Sequence, residues 1–231
     1  MKHLNVLIAC EESQAECEAF RRYGHVAYSC DLQKCKRGGH PEWHIKGDVI
    51  PIINGNCKFK TSDNVEHFIV GKWDLIIAHP PCTRLCNSGQ RWLYWGDDKY
   101  KSQKIAEQQK AIVFFMMFAL ADCDRIVIEN PQGIMSTAYR KPDCVYNPYD
   151  FEGETECKKT CLWLKGVEPL QPLITEQPEL EWFEWTDSKT GKKKRQPKWF
   201  ADAWKLPAKE RARVRSKTFP GIAKAMAEQW G

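Results

Sequence analysis

Four short, largely apolar runs constrain this chain more than any other feature. They are Leu4–Ala9, His25–Cys30, Trp73–Ala78 and Arg125–Glu129. Each is too short for a buried helix and lacks regular polar alternation, so each reads as a strand covered on both faces. Between the first two, Gln14–Tyr23 has helical spacing and stops at Gly24. Lys101–Ala121 reads as the longest helix, with Ile105, Ile112, Phe115 and Met116 on its inner side. Gly47–Ile50 is a short third element, and Thr160–Leu164 a further strand. Strands alternating with helices predict an α/β fold with a doubly wound, Rossmann-like parallel sheet. Ser136–Glu156 reads as loop, Glu168–Gly191 shows no periodicity, and Pro207–Lys217 and Gly221–Gln229 read as two helices.

Length and composition narrow the class. The 231 residues are 42% hydrophobic and 28% charged, which excludes a disordered tail, a coiled coil and a collagen-like fibre. No apolar run approaches the roughly 18 residues of a membrane span. The N-terminal apolar stretch is short and followed by acids, so a cytoplasmic protein without a secretory signal is expected. Eleven scattered cysteines then read as reduced thiols, one of them special. Charge is uneven. Thr186–Lys217 holds twelve Lys and Arg against three acids, an excess of nine in a chain of net charge +5, which leaves −4 elsewhere. Trp199, Phe200 and Trp204 interleave those cations, and a nucleic acid is the expected partner. A solvated basic loop is the plainer alternative.

Polar residues gather at the strand ends, where ligands bind in such sheets. The first strand runs into Cys10-Glu11-Glu12-Ser13, the second into Asp31, the next into His79-Pro80-Pro81-Cys82, and the last into Glu129-Asn130-Pro131. A cysteine stiffened by two prolines has a fixed direction. It becomes a nucleophile where a positive neighbour or a helix end lowers its pKa. A carboxyl across the same cleft suits covalent activation of an electron-poor ring. The thiolate adds to the ring, the acid holds the ring nitrogen that takes up charge, and the adjacent carbon turns nucleophilic.

Pro80-Pro81-Cys82 and Glu129-Asn130-Pro131 resemble the two central motifs of DNA (cytosine-5)-methyltransferases, compact phage-encoded members above all. Gly47-Asp48-Val49 and the tract Lys217–Ala227 resemble further motifs in the same order, so the likeness runs from Asn5 to Gln229. The resemblance implies a methyltransferase sheet, S-adenosylmethionine as cofactor and DNA, single- or double-stranded, as partner. It assigns Cys82 as nucleophile, Glu129 to ring nitrogen 3, and Lys159 to the pyrimidine carbonyl. It places the cofactor against Cys10, Glu11, Glu12, Ser13, Asp31, Leu32, Asp48, Val49 and Pro80. Thr83–Tyr100 would close over a flipped cytosine. There Arg84, Ser88 and Arg91 would meet the nucleic acid, while Gln90 or Trp92 fills the gap left by the base. Lys192, Lys193, Lys194 and Arg195 would add phosphate contacts. Two family features are absent. Cys10–Gln14 stands where the glycine-rich loop belongs, and Lys158–Trp163 replaces the Gln-x-Arg-x-Arg strand. The expected organisation is a catalytic core over 1–165, a small basic and aromatic recognition subdomain over 166–205, and C-terminal helices over 206–231 that complete the core.

Other readings weigh against this one. Cys82 as a buried inert thiol, Glu129 as an ordinary strand-end acid and Asp31 as a turn former are the bland ones. Cys30, Cys35, His40 and His44 have a central gap far shorter than a zinc finger needs, so no metal is expected. Most tryptophans of the second half, Trp163, Trp182, Trp185, Trp199 and Trp204, read as anchors of a small irregular subdomain. The same chemistry on RNA or a free pyrimidine nucleotide, and an inactive nucleic-acid-binding relative, are the competing functions. An amino-methyltransferase is disfavoured, because His79 precedes the prolines and Cys82 follows them. A monomer is expected.

Overall fold

The computed structural model describes residues 3–90, 93, 96–172, 174 and 178–231, without the side chains of 90, 209, 212 and 213. The elements in chain order are β1 (Asn5–Ala9), α1 (Ala15–Arg22), β2 (Val26–Asp31), β3 (His44–Lys46), β4 (Cys57–Lys60), β5 (Glu66–Ile69), β6 (Leu75–Ala78), α2 (Asn87–Gln90), α3 (Asp98–Ala119), β7 (Ile126–Pro131), α4 (Met135–Ala138), β8 (Cys144–Tyr146), β9 (Thr160–Lys165), β10 (Trp182–Thr186), β11 (Lys193–Pro197), α5 (Lys198–Ala203), α6 (Ala208–Arg215) and α7 (Pro220–Trp230).

Seven strands form one sheet in the order β3-β2-β1-β6-β7-β9-β8. The first five in that order run parallel. β9 is antiparallel to both β7 and β8, so it alone opposes the rest. The molecule is thus α/β with a mostly parallel central sheet, compatible with a Rossmann-like fold. Among the described residues no helix is long and apolar enough to cross a membrane.

Continuous apolar strands demand cover on both faces. Along β1, Val6 and Ile8 face one core while Leu7 and Ala9 face the other. The first core holds Phe20 of α1 and Ile222, Ala225, Met226 and Trp230 of α7. The second holds Phe115 and Phe118 of α3. The acids of α1's first turn and the arginines of its last complement the helix dipole. α3 is capped by the Asp97 side chain, which accepts from the Tyr100 N–H at 2.8 Å.

Several expectations are corrected. The third parallel strand is His44–Lys46, and Gly47–Ile50 is the turn after it. The connection from β3 to β6 carries the β4–β5 hairpin, where no element was expected. Its Phe59 packs edge-on against Tyr28 at 5.0 Å and beside Trp73, so aromatic rings do there what a crossover helix would. On α3 it is Lys104 that is buried, while Ile105 is exposed, because Lys104 lies eleven residues, about three helical turns, before the buried Phe115 and so shares its face. The presumed loop Ser136–Glu156 contains β8 and most of α4. The irregular tract contains β10, paired with β11, and α5 packs on both. That hairpin is largely exposed, with aromatic residues on β10 and charged ones on β11, and leaves no core-facing apolar period to read.

Candidate active site

Strand register builds the site. Ala9 pairs with Ala78, and Ala78 with Ile128. The next residue on each strand, Cys10, His79 and Glu129, therefore lies on one rim. Chain connections diverge between β1 and β6, which makes this rim the switch point where open α/β sheets bind ligands.

The β1–α1 turn reaches a glycine-type conformation without glycine. Cys10 has φ 61° and Gln14 φ 59°, both left-handed, at a cost of about 1 kcal/mol each. The Gln14 side chain compensates. It donates to Ser29 Oγ and the His40 carbonyl, and accepts from the His40 N–H at 2.7 Å. Glu11 is buried over the start of α1 and accepts from the N–H groups of Glu16 (2.8 Å) and Cys17 (3.4 Å). Burial and the Glu16 charge nonetheless push its carboxyl up to about 8. The Ser13 hydroxyl donates to Glu11 at 3.2 Å and to Thr218 Oγ1 at 3.1 Å, so the segment before α7 closes on this turn.

His79 sits between two carboxylates. Nε2 lies 2.5 Å from Glu16 Oε2, and Nδ1 lies 3.2 Å from Glu129 Oε2. Burial favours the neutral ring, but the two anions outweigh it and hold the imidazole well above its ordinary range. The His79 cation, helped by Lys158, keeps Glu129 ionised below its ordinary range despite burial.

The turns after β6 and β7 are tied together. The Ile134 N–H donates to the Leu85 carbonyl at 2.8 Å, and Asn130 Nδ2 to the Pro80 carbonyl at 2.7 Å. A Cβ on Gly133 would stand 1.9 Å from the Leu85 oxygen, so only glycine permits this approach. Cys82 begins a helical turn whose carbonyl accepts from the Leu85 and Cys86 N–H groups, both at 2.9 Å. Its thiol is pushed up by its hydrogen bond with Cys86, by burial and by Glu129, against the pull of Lys158. Cys86 is pushed down to about 5, because the Cys82 thiol, Ser88 and the Gly89 N–H all stabilise its thiolate and Arg215 adds charge.

Cys82 and Glu129 thus lie within each other's field, and Lys158 acts electrostatically on both. Lys159 does not. It is exposed and acts on Cys157 and Cys161, since successive residues entering a strand point to opposite faces. Arg84 pairs with Glu107 of α3 (Nε to Oε2, 2.8 Å), so it anchors its turn rather than reaching outward. Ser88 bonds Cys86 Sγ at 3.2 Å. Arg91, Trp92 and the Gln90 side chain lie outside the described residues. At the far end of the rim, Asp31 caps the Gln33 N–H and Asp48 the Ile50 N–H. With these two acids nearby, the Cys30 thiol is pushed up to about 12, chiefly by burial. Leu32 is exposed and Val49 buried. His44 has both ring nitrogens engaged, with Ser29 Oγ and the Gln33 carbonyl.

Of the basic tract, Lys194 pairs with Asp187 across the hairpin, while Lys192 and Lys193 are exposed and in no ion pair among the described residues. Arg195 lies over Trp182 at 4.4 Å. Trp163 belongs to the core under the sheet, but Trp185 and Trp204 are exposed, a correction to their reading as anchors. Reading the chain alone named Asn130 within its motif but gave it no role, and it missed Glu16, Cys86 and Arg215 as parts of the site. The four-residue spacing of Cys82 and Cys86 was a usable signal, and nothing distinguished Glu16 from a surface acid of α1. Compared with known proteins, the chain matches no protein-family model and no curated protein.

Proposed function

We propose that this protein is an S-adenosylmethionine-dependent methyltransferase acting on carbon 5 of cytosine in DNA. The observation that carries the reading is the meeting of Cys82, in the turn after β6, and Glu129, near the end of the adjacent β7, at the switch point of the sheet.

The rim suits the cofactor. Asp31 and Asp48 offer carboxylates to ribose hydroxyls and to a cationic ligand, and the left-handed Cys10 leaves the backbone open as glycine would. The buried Asn130 Oδ1 is an acceptor without a partner among the described residues. When bound, S-adenosylmethionine supplies an electrophilic methyl group. Cys82 Sγ adds to carbon 6 of the extruded cytosine, and its proton passes to the Cys86 thiolate. Glu129 holds ring nitrogen 3, the negative charge spreads into the ring, and carbon 5 becomes the nucleophile. After methylation the carbon-5 proton passes to water, its electron pair restores the carbon 5–carbon 6 double bond as the C–S bond breaks, and Cys82 leaves as a thiolate and recovers its proton from Cys86. Lys192, Lys193 and Arg195 on the hairpin meet the phosphates, with the exposed Phe183 and Trp185 rings 5.9 Å apart as a stacking surface.

The test is denaturing mass spectrometry after incubation with S-adenosylmethionine and DNA containing 5-fluorocytosine, which blocks loss of the carbon-5 substituent. A covalent complex is expected, absent in Cys82→Ser and strongly reduced in Glu129→Gln. No adduct on single- or double-stranded DNA, together with no thermal stabilisation by S-adenosylmethionine, overturns the proposal.

A further inference from the structure

We infer that His79 is a positioning residue that, backed by Glu16, delivers the proton Glu129 needs to hold the substrate ring. This rests on the methyl-transfer reading of the site.

The argument begins with hydrogen-bond capacity. Each ring nitrogen of His79 faces a carboxylate oxygen, Glu16 Oε2 at 2.5 Å and Glu129 Oε2 at 3.2 Å. A neutral imidazole has one N–H and would leave one nitrogen lone pair against a carboxylate. Two protons must therefore lie along the line Glu16–His79–Glu129. Both sit on the ring when the site is empty, which leaves Glu129 a pure acceptor. An unprotonated ring nitrogen of cytosine is also an acceptor, so Glu129 in that state repels it.

A short proton shift removes the conflict. The His79 Nδ1–H bond breaks and an O–H bond forms on Glu129 Oε2, with the ring pair left on Nδ1. The carboxyl group then turns this O–H away from Nδ1, and the same proton is donated to the substrate nitrogen as the Cys82 Sγ–carbon 6 bond forms. The proton returns to Nδ1 when that bond breaks. Nothing is oxidised, and no proton enters from solvent. Glu16 accepts the Nε2 proton's hydrogen bond throughout, as a buried acid orients histidine in hydrolytic triads. It is almost wholly buried in the first turn of α1.

The surroundings keep this line isolated. Glu11, in the turn after β1, faces the same cluster and feels the His79 charge. Lys158, ahead of β9, acts on Glu129. Tyr146 of β8 lies under the fields of both Glu129 and Glu16, and Cys161 of β9 and Cys82 under that of Glu129. No other cation within this set competes with His79 for Glu16. The β6 sequence Ala78-His79-Pro80 puts the imidazole directly before the stiffened turn, so the residue that orients Glu129 and the one that carries the nucleophile are mechanically joined.

The test combines a readout on His79 itself with one on reactivity. In protein labelled with ¹⁵N-histidine, the His79 ring should stay doubly protonated at pH 8, and Glu16→Gln or Glu129→Gln should bring its titration down by at least about one pH unit. The rate of 5-fluorocytosine adduct formation should fall about 100-fold in His79→Gln at pH 8. In Glu16→Gln, which leaves every substrate-facing group in place, the alkaline limb of that rate should move to lower pH with KM unchanged. A ring that titrates near 6.5 in the wild type, or an alkaline limb unmoved in Glu16→Gln, overturns the inference. Should His79→Gln not fold, Glu16→Gln decides alone. If even the wild type forms no adduct, the methyl-transfer reading falls, and the imidazole titration still upholds or overturns the proton arrangement.

Discussion

Asn130→Asp tests the joint between the two strand-end turns. Asn130 is buried, and its Nδ2 donates to the Pro80 carbonyl at 2.7 Å. An ionised aspartate there would set acceptor against acceptor inside the protein, with no water to separate them. The variant folds only with the new carboxyl protonated, because the acid form still donates. Aspartate titrates near ~3.9 in an unfolded chain, and burial of this kind raises it by about 3 units. A group whose folded pKa is raised contributes fully below its unfolded pKa and loses that contribution as pH rises toward the folded value. At about 1.36 kcal/mol per unit, Asn130→Asp should match wild type near pH 4 and be about 4 kcal/mol less stable at pH 7. Against a usual stability of roughly 5–15 kcal/mol, that is a large loss. Urea unfolding followed by tryptophan fluorescence at half-unit steps from pH 4 to 8 measures it. The variant-minus-wild-type difference cancels the other titrating groups. A difference independent of pH, or below about 1 kcal/mol at pH 7, would show that Asn130 does not donate to Pro80 and would refute the reasoning.

Three further outcomes are expected. Glu11→Gln removes a carboxyl held up at about 8, whose ionisation destabilises the fold between pH 4.5 and 8, so the variant should gain roughly 2–3 kcal/mol over wild type at pH 7 and nothing below pH 4; paired urea melts at the two pH values decide. Cys86→Ala removes the hydrogen bond and the neighbouring charge that push the Cys82 thiol up, and Cys82 alkylation by iodoacetamide at pH 7, read by peptide mass, should speed up about threefold or more; an unchanged rate would separate the two thiols. Replacing Lys192, Lys193 and Arg195 with Ala should lower the slope of log affinity against log salt for DNA by about 2 to 3, whereas Lys194→Ala, already paired with Asp187, should lower it by less than 1; equal effects would show that the hairpin does not select which lysines reach phosphate.

The strands of the sheet were legible because a doubly covered parallel strand leaves an apolar run that few other structures leave. Leu4–Ala9 and Trp73–Ala78 bracket β1 and β6 within a residue or two. Of the two C-terminal helices, α7 was legible for a like reason, since it buries an apolar face, whereas the charged α6 leaves no such run. The β4–β5 and β10–β11 hairpins were not, because each is largely exposed and alternates charge with aromatic residues. The reversed direction of β9 has no local signature at all. It follows from which strand Thr160–Lys165 pairs with, and pairing is a long-range choice.

The candidate site divides along the same line. By itself the sequence determined that Cys82 and Glu129 close two strands at proline-stiffened turns, because proline fixes backbone direction locally. Only the tertiary structure decided who their neighbours are. Register put His79 between Glu16 and Glu129, a one-residue alternation chose Lys158 over Lys159, and the turn after Cys82 brought Cys86 within hydrogen-bonding reach. Protonation states follow from those neighbours, since a buried charge is set by the few groups around it and not by the residue that bears it.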